Sequence, residues 1–176
     1  MYWWFWPWNK TLAFWETMLG QEPAYVVTPL ADEEDLEKVA AIHGDSFAHA
    51  WDENEFTSLI SQNGCFGFVA RRPGSVRPEG LVLARLTVDE AEILTIAVDR
   101  HSRSRGIGRL LMDHVLQHLH SERALALFLE VDETNVPAVA LYRKLRFSEV
   151  GRRPAYYPGP DGQRTSALIM KRTLRD

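Results

Sequence analysis

The segment between Glu92 and Val131 constrains the fold more than any other part of the chain. It contains an apolar strand, a basic loop with glycines, an amphipathic helix and a second apolar strand, in that order. Ala124 to Val131 is almost wholly apolar, which is typical of a strand that is buried on both faces of a sheet. Strands alternate with helices in this central part and pair as hairpins toward the edges, so the sequence predicts a mixed α/β sheet.

The composition is that of one ordinary globular domain, and it excludes several classes of protein. With 176 residues, 45% of them hydrophobic and 25% charged, the chain is neither disordered nor fibrous. Its net charge of −4 provides no global field for nucleic acid or an anionic membrane, so no nucleic-acid partner is expected. A single cysteine fits a reducing compartment, and no apolar run reaches the roughly 20 residues that cross a bilayer. We therefore expect a soluble, cytoplasmic protein with no membrane span.

An aromatic-rich arm at residues 1–23 precedes the domain, which we place at 24–176. Eight of the nineteen aromatic residues fall within the first fifteen positions. They are Tyr2, Trp3, Trp4, Phe5, Trp6, Trp8, Phe14 and Trp15. No basic n-region or long aliphatic core accompanies them, so a secretory signal is not expected. Two interpretations stay open: a short helix or strap that packs on the domain, or an arm that docks on a partner, a membrane surface or a second copy of the chain.

Five basic residues crowd the loop and first turn of the central helix: Arg100, His101, Arg103, Arg105 and Arg109. Cations there oppose the helix dipole, but an anion bound to the free backbone N–H groups of the first turn reverses that penalty. Gly106 and Gly108 remove side chains where a phosphate must approach the backbone. The pattern is neither a P-loop nor a dinucleotide fingerprint, because the spacing of both motifs is absent. It favours a pyrophosphate site over a merely solvated loop.

Glu130 ends the apolar run of the second strand, at the carboxyl end where α/β sheets place ligands. A carboxylate there is hydrated at the strand end, paired with a cation, or used in chemistry. Asn135 is suited to cap the next helix, and Tyr142 lies seven residues later, about two helical turns along the same face. A tyrosine on a helix otherwise built from Ala, Val and Leu is usually a core residue whose hydroxyl is satisfied.

Taken together, these residues resemble the Gcn5-related N-acetyltransferase (GNAT) family. The resemblance rests on an ordered set of motifs: Arg103-x-x-Gly106-x-Gly108 after the strand at 93–99, then Leu129-Glu130-Val131, Asn135 and Ala140-Leu141-Tyr142. Finer features resemble the RimI-type branch, which acetylates the N-terminal alanine of a small-subunit ribosomal protein. They are Trp51-Asp52-Glu53, Leu129-Glu130-Val131 to Asn135, and Tyr156-Tyr157-Pro158 through Asp161-Gly162 to Ala167-Leu168-Ile169-Met170. The resemblance covers roughly residues 24 to 172 and leaves the arm unexplained.

The resemblance implies a single mixed, mostly antiparallel sheet flanked by helices, with an acetyl-CoA site where the fourth and fifth strands splay apart. The backbone of Ile96, Ala97 and Val98 would hold the pantetheine arm, and Asn135 would hydrogen-bond the cofactor further along. The pyrophosphate would lie in a cradle shaped by Arg103 and formed by Ser104, Arg105, Gly106, Ile107, Gly108 and Arg109. Glu130 would be the general base and Tyr142 the general acid, and no metal is required.

The resemblance also implies an acetyltransferase that acts on the N-terminal alanine of a ribosomal protein, with Trp51, Tyr156 and Tyr157 near the acceptor. Two alternatives stay open: a small amine or lysine side chain as acceptor, and a non-catalytic acyl-CoA-binding module that holds a partner or a second copy through the arm.

Two places depart from the family pattern. Arg146 stands where the family usually has glycine, so the turn there adopts another geometry or reaches toward the cofactor. Gln163 to Ser166 lacks the acidic residues that this branch often carries.

Three other features are interpreted structurally. His114 and His118 share one helix face with His120 nearby, but a third ligand and a carboxylate are missing, so a metal site is disfavoured. Cys65 lies in an apolar stretch and is expected to be buried rather than nucleophilic. The turn-forming residues from Tyr156 to Gly162 predict a loop between the last two strands.

Overall fold

A seven-stranded mixed sheet with helices on both faces makes up residues 24–158 and 163–175, the part of the chain that the computed structural model describes. The strands are β1 (Val26–Pro29), β2 (Cys65–Arg71), β3 (Pro78–Thr87), β4 (Glu90–Val98), β5 (Ala126–Asp132), β6 (Ser148–Pro158) and β7 (Arg164–Thr173). The helices are α1 (Glu33–Gly44), α2 (Glu53–Ile60), α3 (Ile107–Ser121) and α4 (Val136–Lys144), and a 3-10 turn (Arg100–Ser102) precedes α3. The aromatic arm and residues 159–162, in the stretch for which a loop is predicted, lie outside the described residues.

The strand order is β1-β2-β3-β4-β5-β7-β6. Every neighbouring pair is antiparallel except β4 and β5, which are parallel. The parallel pair is the one joined by the long connection through α3, as parallel strands require. The predicted mixed, mostly antiparallel sheet is confirmed.

Local sequence signals determine where three helices begin. Asp52 caps α2 through a capping box: its carboxylate accepts from the backbone N–H of Glu55, and the Glu55 carboxylate accepts from the backbone N–H of Asp52, both at 2.9 Å. The side chain of Asn135 accepts a hydrogen bond from the backbone N–H of Ala138 and so caps α4. Gly106 precedes α3 in the left-handed conformation, with φ of 84°, which glycine adopts without steric cost. These caps fix the loops from which the candidate site is built.

Two apolar cores lie on opposite faces of the sheet. The core under α3 and α4 includes Leu111 and Leu127, neither of which has any exposed surface. The core under α1 and α2 is built around Val39, Phe56 and Leu83. Because both faces of the central strands are covered, these strands are continuous apolar runs in the sequence.

β4 and β5 pair only at their beginnings. Their parallel register stops at Glu92 and Phe128, although β4 continues to Val98 and β5 to Asp132. A bulge at Leu94 in β4 accompanies the separation. The predicted splay between the fourth and fifth strands is confirmed, and backbone hydrogen-bonding groups of both strands face the gap that it leaves.

The turn after α4 keeps the conformation that glycine usually provides, although Arg146 occupies it. Its φ is 65°, within the left-handed region in which helices commonly end. The backbone N–H of Phe147 donates to the carbonyl of Tyr142, and that of Arg146 to the carbonyl of Arg143, both at 3.0 Å. The expectation of another turn geometry is therefore wrong, because these hydrogen bonds close the helix end as they would around glycine.

The last hairpin also differs from the expectation. Tyr156 and Tyr157 belong to β6 and not to the loop that was predicted to begin at Tyr156. The strand accommodates turn-forming residues in a wide bulge: Arg153 pairs with Ala167 and Tyr157 with Thr165, so three residues of β6 oppose one of β7. Strand pairing therefore extends to Pro158, which pairs with Arg164, and it carries Tyr157 beside β7.

Candidate active site

The start of α3 carries free backbone donors. Among the described residues, none accepts a hydrogen bond from the backbone N–H of Ile107, Gly108 or Arg109, as is usual for the first turn of a helix. The preceding loop contains two left-handed residues, Ser104 with φ of 62° and Gly106 with φ of 84°. Such a helix start binds anions through its N–H groups and its positive dipole end.

Packing within the protein does not require a glycine at position 108. A Cβ at Gly108 would lie 3.4 Å from Cδ2 of Leu141 and 4.0 Å from Cγ2 of Val98, which is ordinary contact. At Gly106 nothing lies within 4 Å of such a Cβ, and its positive φ alone favours glycine. A ligand that must approach the backbone, such as a phosphate, is a physical reason for the missing side chain at Gly108.

Arg103 folds back onto β4. Its Nε donates to the carbonyl oxygen of Val98 at 3.2 Å, and its Nη2 donates to Oγ of Ser46 at 3.3 Å. Ser46 follows α1 and itself donates to the carbonyl of Ile42 at 2.9 Å. Arg103 thus ties the loop before α3 both to β4 and to the loop between α1 and α2.

Backbone and side-chain donors line the two sides of the gap. On one side, Ile96, Ala97 and Val98 pair with β3, and their pairing with β5 has ended. On the other side, Asn135 lies three residues after the end of β5. The side-chain oxygen of Asn135 caps α4, which leaves its amide N–H groups available to a ligand.

Glu130 points away from α3 and α4, on the β5 side of the gap. Its neighbours Leu129 and Val131 are buried in the core under those helices, and side chains along a strand alternate in direction. The Glu130 side chain is 32% exposed, and its Oε1 lies 3.0 Å from Nη2 of Arg153. Of the three states that the sequence left open for this carboxylate, the structure shows pairing with a cation.

Tyr142 is buried in the core on the opposite face. Burial raises the pKa of its hydroxyl well above the usual range, and the proximity of Tyr157 adds to the rise. The pKa of Tyr157 is itself raised, first by burial and then by the nearby carboxylate of Glu130. Tyr157 therefore lies within electrostatic range of both predicted catalytic residues.

Arg164 holds the bulge of β6 in place. Its Nε donates to the carbonyl oxygen of Ala155 at 2.6 Å, and its Nη2 donates to that of Tyr156 at 2.7 Å. Ala155 has a positive φ of 51°, a conformation that costs energy for any residue with a Cβ. The two hydrogen bonds from Arg164 satisfy carbonyls that the bulge has removed from the strand ladder.

The acidic groups near the hairpin come from the end of β5. Asp132 accepts a hydrogen bond from the hydroxyl of Thr165 at 2.7 Å, and Glu133 accepts one from the backbone N–H of Ser166 at 2.9 Å. Burial opposes the ionised form of Asp132, but hydrogen bonds from Thr134 and Thr165 outweigh it and lower its pKa. Sequence reasoning missed this pair; the signal was the run Asp132-Glu133 that directly follows the strand of Glu130.

Trp51 stands apart from the two tyrosines. Its ring stacks on His43 with centroids 4.8 Å apart and meets Phe56 edge-on at 5.6 Å, in the core that includes residues of β4. Tyr156 and Tyr157 lie on β6 with their rings 5.0 Å apart. The three residues predicted near the acceptor therefore stand on two sides of the β4–β5 gap rather than in one cluster.

Comparison with known proteins identifies the family. The profile of the Acetyltransferase (GNAT) family matches residues 28–147. The chain belongs to the GNAT family. It is 35% identical over 133 residues to the ribosomal protein bS18-alanine N-acetyltransferase of Escherichia coli strain K12, which covers 74% of this chain and 87% of that protein.

Solved structures of GNAT enzymes share the fold. The ribosomal-protein-S18-alanine N-acetyltransferase from Escherichia coli matches with a TM-score of 0.78 and 30% identity, over 86% of this chain and 95% of that one. Ard1 from Thermoplasma volcanium matches with a TM-score of 0.75 and 25% identity, over 88% of this chain and 100% of that one. The predicted family and fold are confirmed. Since GNAT enzymes transfer the acetyl group of acetyl-CoA to an amine, the chain is an N-acetyltransferase of this kind.

His114 and His118 of α3 and Cys65, which the sequence pattern predicts to be structural residues, pack within the domain. His118 packs on Phe66 with ring centroids 4.2 Å apart, and Nδ1 of His114 lies 3.0 Å from the carbonyl of Leu110. Cys65 is partly buried, which raises its pKa. Within residues 24–158 and 163–175, no three His, Cys, Asp or Glu residues are grouped to hold a metal ion. None of the helices in those ranges is long and apolar enough to cross a membrane.

Proposed function

We propose that this GNAT enzyme acetylates the α-amino group of an N-terminal alanine, and that its acceptor is a small-subunit ribosomal protein. The observation that carries the proposal is the 35% identity over 133 residues to an enzyme named for that reaction. The geometry that supports it is a gap between β4 and β5, a helix start with free backbone N–H groups and a carboxylate on the β5 side. A ribosomal acceptor goes with a cytoplasmic location.

The residues around the gap fit acetyl-CoA, which supplies the thioester whose acetyl group is transferred. The free N–H groups from Ser104 to Arg109 would hold the pyrophosphate, and Arg103 keeps that loop against β4. The open edge of β4 from Ile96 to Val98 would hold the pantetheine arm through its backbone, as an added strand is held. Asn135 would donate from its amide further along.

Glu130 is the general base in this proposal. An α-amino group has a pKa of ~7.7–8.0, so most of it is protonated at neutral pH and must lose a proton before it attacks. Glu130 accepts that proton directly or through one water. Its face of β5 is accessible because α1 and α2 pack mainly on β2, β3 and β4.

Tyr142 is the general acid. The hydroxyl carries its proton at neutral pH, as an ordinary tyrosine does, and burial raises its pKa further. In this proposal it donates that proton to the departing sulfur. Tyr142 and Glu130 lie on opposite faces of β5, so the two proton transfers involve groups from opposite faces of the sheet. Backbone N–H groups on the open edge of β4 donate where negative charge develops on the carbonyl oxygen.

Two sides of the gap enclose the acceptor in this proposal. Trp51 stands on the β4 side, and Tyr156 and Tyr157 stand on β6. Asp132 is ionised at neutral pH, and its lowered pKa keeps it ionised in mild acid as well. It offers negative charge to an acceptor chain that is basic after its alanine. In this proposal the N-terminal residue of the acceptor binds between Trp51 on one side and Tyr156 and Tyr157 on the other.

A comparison of acceptors tests the proposal. We expect acetyl-CoA turnover with a peptide that begins Ala-Arg, with a kcat/KM at least about tenfold above that for spermidine or for an N-terminally blocked lysine peptide. The same Ala-Arg peptide with its amine acetylated beforehand is the matched control and should give no product. Preferred acetylation of spermidine or of the blocked lysine peptide overturns the acceptor assignment and leaves the family assignment intact.

A further inference from the structure

We propose that Arg153 sets acceptor affinity by competing with the acceptor's ammonium group for Glu130. The inference rests on the proposed function, since it takes Glu130 as the group that receives the acceptor amine. In the free enzyme the guanidinium already occupies that carboxylate, with Nη2 of Arg153 3.0 Å from Oε1 of Glu130. An incoming ammonium therefore competes with an internal cation for the negative charge of Glu130 when it approaches to give up its proton.

The ion pair crosses one strand of the sheet. Glu130 lies on β5 opposite Ile169 of β7, and Arg153 lies on β6 opposite Ala167 of the same strand. Arg153 is the last residue paired before the β6 bulge, and Arg164 fixes the carbonyls of that bulge. The backbone that carries Arg153 is thus held beside Glu130, while its side chain is 53% exposed and free to move.

The guanidinium of Arg153 has a second favourable contact besides Glu130. Its guanidinium carbon lies 5.5 Å from the centre of the Tyr156 ring, within the range of a cation–π interaction. A guanidinium displaced from Glu130 can keep this contact, and displacement then costs only the ion pair. Exposed ion pairs contribute little free energy. The ammonium group of a bound substrate can therefore replace Arg153 at Glu130.

The other charged groups facing Glu130 do not occupy it in the same way. Asp132 is on the same side of β5 and is bonded to threonine hydroxyls. Lys171 of β7 has its ammonium group 5.0 Å from the centre of the Phe128 ring. Tyr157 of β6 is a neutral phenol at neutral pH, like any tyrosine. Among these groups, Arg153 is therefore the cation that competes with the substrate ammonium for Glu130.

The neighbouring residue provides a matched control. Arg152 precedes Arg153 on β6, but its Nη1 pairs with Glu133 at 2.6 Å and its Nε with Glu149 at 3.4 Å. Arg152→Gln therefore removes the same charge from the same strand without changing what binds Glu130. Arg153→Lys keeps the competing cation, and Arg153→Gln removes it.

The test is steady-state acetylation of a peptide that begins Ala-Ala and has no charged side chain near its amine. We expect Arg153→Gln to lower the acceptor KM about two- to fivefold, the range of an exposed ion pair, with the KM for acetyl-CoA unchanged. Arg153→Lys should restore the wild-type acceptor KM, and Arg152→Gln should leave it unaltered. The effect should be largest below pH ~7.7, where the amine is protonated, and should shrink above pH ~8.

The possible outcomes separate the two proposals. An unchanged or raised acceptor KM for Arg153→Gln, in an enzyme that acetylates alanyl peptides, overturns the competition alone. An equal fall for Arg152→Gln also overturns it, because the effect would then follow net charge. A wild-type enzyme that acetylates no alanyl peptide overturns the proposed function and this inference with it. Thermal unfolding of each variant checks that the fold is retained.

Discussion

The backbone N–H of Trp51 donates a 2.9 Å hydrogen bond to Nδ1 of His43, and the two rings stack 4.8 Å apart. Nδ1 can accept this bond only when it carries no proton. His43 is 3% exposed, and burial lowers the pKa of its imidazole to about 4. The position of Trp51 beside the acceptor side of the gap thus depends on a neutral histidine.

We predict that His43 makes the fold sensitive to acid. In the unfolded chain the imidazole binds a proton near pH 6.5, but in the folded protein only near pH 4. Its contribution to stability is fully present above pH 6.5 and is lost as the pH falls from 6.5 to 4, by up to about 1.4 kcal/mol per pH unit. Urea unfolding at pH 7, 5.5 and 4.5 measures the slope.

His43→Asn is the control for this prediction. Asparagine offers an acceptor oxygen to Trp51 but does not titrate. The variant should be less stable than wild type at pH 7, because the stacked ring is lost, and its free energy of unfolding should fall less steeply with acid. Parallel slopes for the two proteins would contradict the role of His43.

We predict that Gly108→Ala weakens acetyl-CoA binding and leaves the fold intact. The new Cβ makes only ordinary contact, at 3.4 Å from Leu141, so the free energy of unfolding should change little. The methyl group blocks the close approach of a phosphate, and the loss of one charge-assisted hydrogen bond lowers affinity about 10- to 100-fold. Calorimetry with CoA measures the effect. Gly44→Ala, at the end of α1, is the matched control. Equal CoA affinity of the two variants would refute a pyrophosphate site at the start of α3.

Much of this architecture is local in the sequence, and that part was predictable. The apolar run that ends in β5, the cap at Asn135 and the loop that begins with Arg103 each act through neighbours a few residues away. The β6 bulge was not predictable in the same way, because Tyr156 and Tyr157 lie among turn-forming residues. Only pairing with β7 and the hydrogen bonds from Arg164 show that they are strand residues.

The contacts that modify the site come from residues far apart in the chain. The partner of Glu130 is Arg153, 23 positions later, and the strand between them in space is β7, which follows both in sequence. Arg103 and Ser46 are 57 positions apart. No spacing rule relates such pairs, since their proximity depends on strand order and register. The residue types at the site were predictable, whereas their pairing required the fold.

We predict that Arg146→Gly stabilises the protein. Relief of the left-handed conformation gains about 1–2 kcal/mol, and the greater freedom of glycine in the unfolded chain offsets about 0.5–1 kcal/mol of it. The free energy of unfolding should therefore rise by about 0.5–1 kcal/mol, measured by urea denaturation. Arg146→Ala removes the charge beside Arg172 but keeps the positive φ. If alanine stabilises as much as glycine, the gain comes from charge and not from backbone strain.

We predict that Glu130→Gln loses activity most where the acceptor amine is protonated. Glutamine keeps the shape of the side chain but cannot accept the proton. At pH 7 the rate should fall about 10²- to 10⁴-fold, and it should recover partly above pH ~8, because a neutral amine needs no base. The pH profile of kcat/KM with an Ala-Arg peptide measures this. A rate near wild type at pH 7 would exclude Glu130 as the base.

We predict that Tyr142→Phe loses activity with a different pH dependence from Glu130→Gln. The hydroxyl of Tyr142 carries its proton at neutral pH, as an ordinary tyrosine does, and burial raises its pKa further. The variant therefore loses a donor that is otherwise always present. We expect kcat to fall about 10²- to 10⁴-fold, with little change in the affinity for acetyl-CoA. High pH should not restore the rate, because a neutral amine does not replace the proton that the departing sulfur needs. The measurement is the pH profile of kcat, taken beside that of Glu130→Gln. A recovery with pH like that of Glu130→Gln would show that Tyr142 assists deprotonation of the amine, and full activity at pH 7 would remove it from the mechanism.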